Sequence, residues 1–396
     1  ANPELWSQTV LLVNFDENDG FFDHVPSPSA PSREINEQGE ILKVHGKTTL
    51  SDEQISYEYF NHPRVSGSTA QPLLKYVNGK NENFWHGVYG PGVRVPLYVI
   101  SPWSRGGWVN SQVFDHTSII QFLEQRFGDT EPNVSAYRRA VCGDLSSAFN
   151  FKTPNIDVLP TLAGQKTKQQ ADSIRLAQQG LAQVQVPTLQ NLPVQESGIR
   201  YSRALPYILH TSAKVLPSQH QVQLLFSNTG QQGAVFHVYD KLNLTAIPKR
   251  YMVEAGKQLD DVWSLVSGQY DLWVLGPNGF HRAFKGDMKQ KDQVESLPEI
   301  RICVEECDPK IYLKLRNDGA EKLDLVVNAN AYLKNKTWNI TPTQTEVEIV
   351  LDMAVVYGWY DFSVKIQGQE HFERRFAGRI EIGKDSYSDP FMGNTT

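Results

Sequence analysis

Hydrophobic and polar positions fall into two regimes along this chain. Thr9 to Phe15 is apolar without alternation, the pattern of a strand covered on both faces in a parallel sheet. Val93 to Ile100 forms a second apolar run, broken by Pro96 as an edge strand or a bulge would be. Ile119, Ile120, Leu123 and Phe127 recur at helical spacing, with Asp115 or Thr117 placed to cap the helix and Gly128 to end it. Residues 27–84 are polar, turn-rich and aperiodic, which predicts a long excursion containing a short hairpin, and such insertions at strand ends often build pockets. Residues 152–200 are rich in Gln, Lys and Ser and read as a linker, with one helical stretch around Ser173 to Leu181. Beyond the linker strand alternation takes over, at Val222–Phe226, Ala234–Tyr239, Tyr270–Val274, Ile311–Leu315, Leu323–Val327, Val347–Leu351 and Trp359–Ile366. Turn signals between these runs predict all-β sandwiches.

The alternating region also repeats itself. Ser227-Asn-Thr-Gly230 matches Arg316-Asn-Asp-Gly319, Gln269-Tyr-Asp-Leu272 matches Trp359-Tyr-Asp-Phe362, and Phe280-His-Arg-Ala-Phe-Lys-Gly286 matches Phe372-Glu-Arg-Arg-Phe-Ala-Gly378. The offset is about ninety residues each time, close to one small β domain per copy. The Asn-Gly pieces predict positive-φ turns and the Tyr-Asp pairs corner or strand-start positions, so repeated turn and core residues explain the motif without a ligand. The predicted division is a catalytic portion at 1–151, the linker at 152–200, and β repeats at 201–290 and 298–390.

Candidate chemistry gathers where the first apolar run ends. Asp16 and Glu17 fall at a strand's carboxyl end, where α/β enzymes place ligands, and Gly20, Asp23, His24 and Pro26 follow in a tight turn. Hard carboxylate oxygens beside an imidazole suit a divalent cation, the alternative being that both acids simply solvate the turn. Adjacent strand residues face opposite ways, so Asp16 is the better single ligand, with Glu17 as a second ligand or a nearby base. Asp23 and His24 either brace the turn through a carboxylate–imidazole hydrogen bond or reach a phosphate, with bracing preferred. His116 precedes the predicted helix, where it can serve as acid or base or help cap the helix. Trp85, His86 and Tyr89 flank a Gly-Pro-Gly loop and either meet a quaternary ammonium group by cation–π attraction or pack as an aromatic loop.

Composition narrows the classes. At 396 residues and 40% hydrophobic, the chain can bury two or three cores. A net charge of −6 without a basic block argues against a nucleic-acid partner. No apolar run approaches the roughly 20 residues that span a bilayer. Of the three cysteines, Cys303 and Cys307 either close a small disulfide loop or remain thiols with Cys142, and so close a pair does not make a four-ligand zinc site. No P-loop, dinucleotide fingerprint or Gly-x-Ser-x-Gly elbow is present.

The string Phe15-Asp-Glu-Asn-Asp-Gly-Phe-Phe-Asp-His-Val-Pro26 resembles the hallmark of the bacterial phospholipase C and acid phosphatase family of phosphoesterases. Further matches run through Val88–Gly107, Phe114-Asp-His-Thr-Ser118, Arg138–Leu145 and the tail Ser388–Gly393, so the resemblance spans nearly the whole chain. It implies an alkaline-phosphatase-like α/β/α sandwich followed by two immunoglobulin-like β-sandwiches. It also implies a divalent metal, a phospholipid substrate at a membrane surface, and a secreted or periplasmic location. Family members carry a long preceding region with a Glu-Asn motif and a Ser or Thr nucleophile. No such Glu-Asn motif stands in a comparable context here, and Glu82-Asn83 lies after the metal strand, so the α/β portion is expected to be incomplete at its amino terminus. The expected reaction is hydrolysis of phosphatidylcholine- or sphingomyelin-type headgroup esters. Acid phosphatase and a non-catalytic lipid-surface module stand as alternatives; the tandem repeat argues against the phosphatase.

Overall fold

The computed structural model describes residues 2–18, 23–35, 40–61, 74–77, 80–83, 86–88, 90–158, 163–189, 197–265, 267–289, 297–305, 308–333 and 336–391. The amino-terminal part holds helix α1 (Pro3–Trp6) and strands β1 (Leu11–Asn14), β2 (Ser32–Ile35) and β3 (Ile41–Thr48). Helix α2 (Asp52–Ser56) follows, then β4 (Tyr59–Asn61), β5 (Leu74–Val77), β6 (Lys80–Asn83), β7 (His86–Val88) and β8 (Leu97–Ile100). Helices α3 (His116–Phe127), α4 (Ala136–Val141) and α5 (Lys168–Gln178) lead to the β-rich remainder.

That remainder is one strand after another: β9 (Tyr201–Ser202), β10 (Leu209–Leu216), β11 (Gln221–Asn228), β12 (Ala234–Asp240), β13 (Lys249–Val253), β14 (Gln258–Ser264), β15 (Gln269–Leu275) and β16 (His281–Asp287). The second copy supplies β17 (Pro298–Val304), β18 (Lys310–Asn317), β19 (Leu325–Ala331), β20 (Thr337–Ile340), β21 (Val347–Asp352), β22 (Trp359–Ile366) and β23 (Glu373–Arg379), and β24 (Ser386–Tyr387) closes back on β9. Burial alternates strictly along β18 and β23, as a strand with one face on a core requires.

A ten-stranded sheet in the order β2-β3-β13-β12-β15-β16-β23-β22-β19-β20 runs through both copies. The two repeats meet in it at the antiparallel pair β16–β23, which joins equivalent strands of the two copies. Arg282 stands opposite Phe376 and Phe284 opposite Arg374, so the register is the same read from either copy. Two three-stranded sheets, β10-β11-β14 and β17-β18-β21, each share an apolar core with their half of the large sheet. The first core centres on Phe226, Phe236 and Tyr251, the second on Leu313, Phe362 and Phe376.

The repeat motifs recur as matching local structure. Asn228 accepts from the Gly230 amide at 3.0 Å and donates to Gln232 O at 2.8 Å; Asn317 does the same with Gly319 at 3.0 Å and Glu321 O at 2.7 Å. Neither glycine has the positive φ expected of an Asn-Gly turn. Gly230 is required for closeness instead, since a Cβ there would lie 2.3 Å from Pro206 O.

The excursion contains the expected hairpin, β2–β3, and the hairpin has a use the sequence did not announce. Strand β3 pairs in parallel with β13, extending the sheet of the first repeat. Gly46, at φ +119°, makes this possible, because a Cβ would sit 1.8 Å from Arg250 O. A third core of Ala30, Leu50, Ile55, Tyr137, Val141 and Cys142 packs onto Val235 and Met252 of the first repeat.

Three expectations change. The first apolar run forms only β1, which pairs antiparallel with β8 in a two-stranded sheet rather than inside a buried parallel one. Leu11, Val13, Tyr98 and Ile100 are exposed there, because among the described residues no element covers that face. Strand β8 starts only after Pro96, and the linker helix begins at Lys168, five residues ahead of the expected Ser173, where Thr167 forms a capping box with Gln170. Cys142 is a buried thiol and Cys303 is free, while Cys307 lies outside the described residues.

Candidate active site at the end of the first strand

Strand β1 ends at Asn14, opposite Leu97, and the Phe15 amide donates to Pro96 O at 3.4 Å. The chain then turns, and Asp16 accepts from the Glu17 amide at 3.0 Å through Oδ1. Both carboxylates are exposed. They offer two hard-oxygen donors side by side, which fits part of the six-to-eight-oxygen or octahedral set of a divalent cation. Among the described residues no three His, Cys, Asp or Glu side chains converge into a metal cluster.

Helix α3 is anchored to this strand end. Its first residue, His116, donates from Nε2 to the Phe15 carbonyl at 3.0 Å; a carbonyl only accepts, so Nε2 carries the proton. Asp115 caps the helix, accepting from the Thr117 amide at 2.9 Å while its own amide reaches Ser118 Oγ at 3.0 Å. Gly128 ends the helix at φ +80°. The expected helix and both boundaries therefore stand, but the cap is Asp115 alone and His116 is tied to the strand.

Asp115 has a second task. Its Oδ2 accepts from Arg138 Nη1 at 2.7 Å, and Arg138 also reaches Gly90 O at 3.1 Å and Glu58 Oε2 at 3.4 Å. Asp115 and Glu58 are both buried, and their charges raise the Arg138 pKa against the opposing cost of its burial. Arg138 thus joins the Gly90 loop, the α3 cap and the segment before β4. Gly90, at φ +61°, lets this loop press on Ser27–Ser29, where a Cβ would meet Ser29 Cβ at 2.7 Å.

Asp23 braces the turn, with a different partner from the one expected. Arg94 grips it with Nε at 2.6 Å and Nη2 at 2.8 Å, and the Arg94 and Val25 amides add bonds at 3.2 Å each. The guanidinium bonds hold the Asp23 carboxyl well below the usual carboxylate range. His24 lies 3.7 Å from Asp23, too far for a hydrogen bond, and its side chain is 90% exposed. A ring so free is available to a ligand and contributes nothing to the brace. With its oxygens committed to Arg94, Asp23 does not fit as a metal ligand.

Arg94 and Arg138 were missed as site residues. Arg94 is a lone cation between Val93 and Val95 in an apolar run, which is the one local sign that a carboxylate awaits it. Of the aromatic group, Trp85 and Tyr89 lie outside the described residues, and His86 is described only through its backbone in β7.

Comparison with known proteins gives two family matches. Residues 1–129 match the model of the Phosphoesterase family, and residues 201–287 and 298–379 match that of the bacterial phospholipase C carboxyl-terminal domain. The amino-terminal third is thus similar to the phosphoesterase family and the β-rich part to the phospholipase C carboxyl-terminal domain. It is 46% identical to the non-hemolytic phospholipase C of Pseudomonas aeruginosa, over 99% of this chain and 53% of that protein. It is 38% identical to the non-hemolytic phospholipase C of Burkholderia pseudomallei, over 99% of this chain and 52% of that protein. The hemolytic phospholipase C of Pseudomonas aeruginosa is 33% identical, again over 99% and 53%. The chain spans about half the length of these curated relatives. The two carboxyl-terminal matches fall on the two halves of the ten-stranded sheet, one to each repeat.

Proposed function

We propose that this chain is the carboxyl-terminal portion of a phospholipase C that hydrolyses phosphatidylcholine- or sphingomyelin-type headgroup esters. The products would be diacylglycerol or ceramide and a phosphorylated alcohol. The observation that carries this reading is the pairing, in one chain, of the phosphoesterase match with two phospholipase C carboxyl-terminal matches and 46% identity to a phospholipase C. An exported location, secreted or periplasmic, follows from the same likeness. Among the described residues no helix is long and apolar enough to cross a membrane.

In this reading residues 1–151 belong to an alkaline-phosphatase-like α/β domain, residues 201–290 and 298–390 are the paired β-sandwiches, and 152–200 links them. The exposed apolar β1–β8 pair supports a sheet completed by further strands, and the length of the relatives supports a source for them. Asp16, with Glu17 beside it, would hold the divalent ion, which supplies charge stabilisation to the transferring phosphoryl group when bound. His116 positions that strand end through the Phe15 carbonyl, which leaves Nδ1 as its remaining acceptor. Asp23 and Arg94 fix the turn, and His24 projects toward substrate. Trp85, His86 and Tyr89 form the headgroup loop.

The test is complementation. The chain is co-expressed with the amino-terminal half of the Pseudomonas aeruginosa relative, and turnover of p-nitrophenylphosphorylcholine is measured with added divalent metals. Turnover by the pair, and its loss in Asp16→Ala, is expected. Full turnover by the Asp16→Ala pair would remove Asp16 from the site, and preference for a phosphomonoester would turn the reading toward acid phosphatase.

A further inference from the structure

A cavity lies between the two repeats at one end of the β16–β23 seam, with about 40 Å³ of free interior, several times what one water needs. Its apolar wall includes Tyr207 and Ile302, and its polar lining includes His210, Asn278, Arg282, Arg379 and Glu381. Glu381 is already used, pairing with Arg379 Nη1 at 3.2 Å and accepting from the Leu205 amide at 3.1 Å. Arg282 has no carboxylate among its hydrogen-bond partners. Its Nη atoms donate to His281 O, Ala377 O and Tyr360 Oη, all neutral acceptors, and its buried Nε has no partner. Arg282 is 1% exposed, so its charge is almost wholly removed from water.

The pseudo-symmetric position shows what is missing. Strand register places His210 opposite Ser227 and Glu299 opposite Arg316, and the repeat makes Ser227 and Arg316 equivalent. At the second end, then, the equivalent position holds a carboxyl group, Glu299, whose pKa burial raises and the Arg374 charge lowers, although the hydrogen bonds of Arg374 go to Lys285 O, Glu373 O and Tyr270 Oη. At the first end its equivalent is an imidazole, which burial and the Arg282 charge push down to about 4, so that it is neutral at pH 7. A buried cation faced by a neutral ring is costly unless an anion joins it.

We propose that the cavity between the repeats binds a small oxyanion, with Arg282 as its charged anchor and His210 as the wall residue that leaves room for it. The ion places an oxyanion at this end, where the other end carries the Glu299 carboxyl group. The binding clamps the two repeats together, so it is read as stability of the whole chain and does not depend on phospholipase turnover.

The test is thermal unfolding of the full chain as inorganic phosphate is titrated at constant ionic strength and pH 7.5. A saturable rise in Tm is expected. H210E supplies the carboxylate internally and is expected to weaken the phosphate response at least tenfold, whereas H210Q keeps it. No saturable rise in the wild type, or an unchanged response in H210E, overturns the proposal; the second result would place phosphate elsewhere, the hydrolytic site included. If H210E does not fold, wild-type crystals soaked in selenate decide. An anomalous peak within hydrogen-bond distance of Arg282 Nε is expected, and its absence from the cavity overturns the site.

Discussion

Arg282 Nη2 donates to the Tyr360 hydroxyl at 2.9 Å, from the first repeat into the second. The reciprocal bond, Arg374 Nη2 to Tyr270 Oη at 2.6 Å, returns from the second repeat into the first. Each guanidinium also lies over a phenylalanine of its own repeat, Phe280 at 4.1 Å and Phe372 at 4.3 Å. The two repeats therefore hold each other with the same pair of residues used twice, as in a two-fold interface within one chain.

Tyr360→Phe removes the acceptor and leaves a buried charged donor unpaired, which costs about 1.5–3 kcal/mol. Tyr270→Phe should cost a similar amount. Urea unfolding of each variant checks this. Because one sheet runs through both repeats, each variant is expected to unfold in a single transition with a lowered midpoint. A separate early transition for one repeat would show that the seam does not couple them.

The repeat itself was legible in the sequence, down to Tyr270 with Tyr360 and Arg282 with Arg374, yet its role was not. Pattern reveals equivalent positions within copies, whereas the reciprocal bonds depend on which edge strands meet. Of the strands read from alternation, β18 has its core on one face, whereas β12 is buried on both, between the first and third cores. Strands β13, β16 and β23 were not read as runs because charged residues such as Arg250, Arg282 and Arg374 interrupt the apolar pattern, although Arg282 and Arg374 are wholly buried and each bonds a tyrosine hydroxyl distant in sequence. Helix α3 was read correctly because Asp115 and Gly128 mark its ends locally. At the candidate site the acids were visible but Arg94, seventy-one residues from Asp23, was not.

Gly46→Ala should release the β2–β3 hairpin from the first repeat. The added Cβ meets backbone at 1.8 Å and the φ of +119° disfavours any side chain, so neither strand can yield cheaply. A loss of about 2 kcal/mol or more is expected. Limited proteolysis is expected to cut within residues 32–48 in the variant before the wild type.

Asp115→Ala should be more damaging than Asp115→Asn. Alanine removes the α3 cap, worth about 1 kcal/mol, and the carboxylate facing Arg138 in a buried site, where breaking a pair costs about 3–5 kcal/mol. Asparagine has a single oxygen, so it keeps the cap to the Thr117 amide but loses the charge and the second acceptor that Arg138 uses. Thermal melts should rank wild type, Asn and Ala in that order.

Asp23 carries a pH signature. Its folded pKa is depressed by Arg94, so its contribution is fully present above the unfolded value near 3.9 and is lost as pH falls through the folded value. Arg94 is 61% exposed, which limits the contribution to about 0.5–1 kcal/mol. The stability difference between wild type and Asp23→Asn should hold constant from pH 5 to 8 and shrink below pH 4. In the complemented enzyme, loosening the turn by Arg94→Ala should lower turnover by about 10–100-fold, the usual scale for residues that orient a site from behind.

Val13 tests whether the exposed face of β1 and β8 is a surface or an interface. Val13 stands opposite Tyr98, and the two side chains are 41% and 54% exposed. On a free surface, Val13→Asp should change the stability of the isolated chain by no more than about 0.5 kcal/mol. If further strands cover this face in the working enzyme, the same carboxylate becomes buried without a partner, and turnover in the complementation assay should collapse. Loss of turnover with unchanged stability of the chain alone is the expected result. Full turnover would mean that β1 and β8 remain open to solvent in the assembled enzyme, and the sheet would have to be completed on another edge.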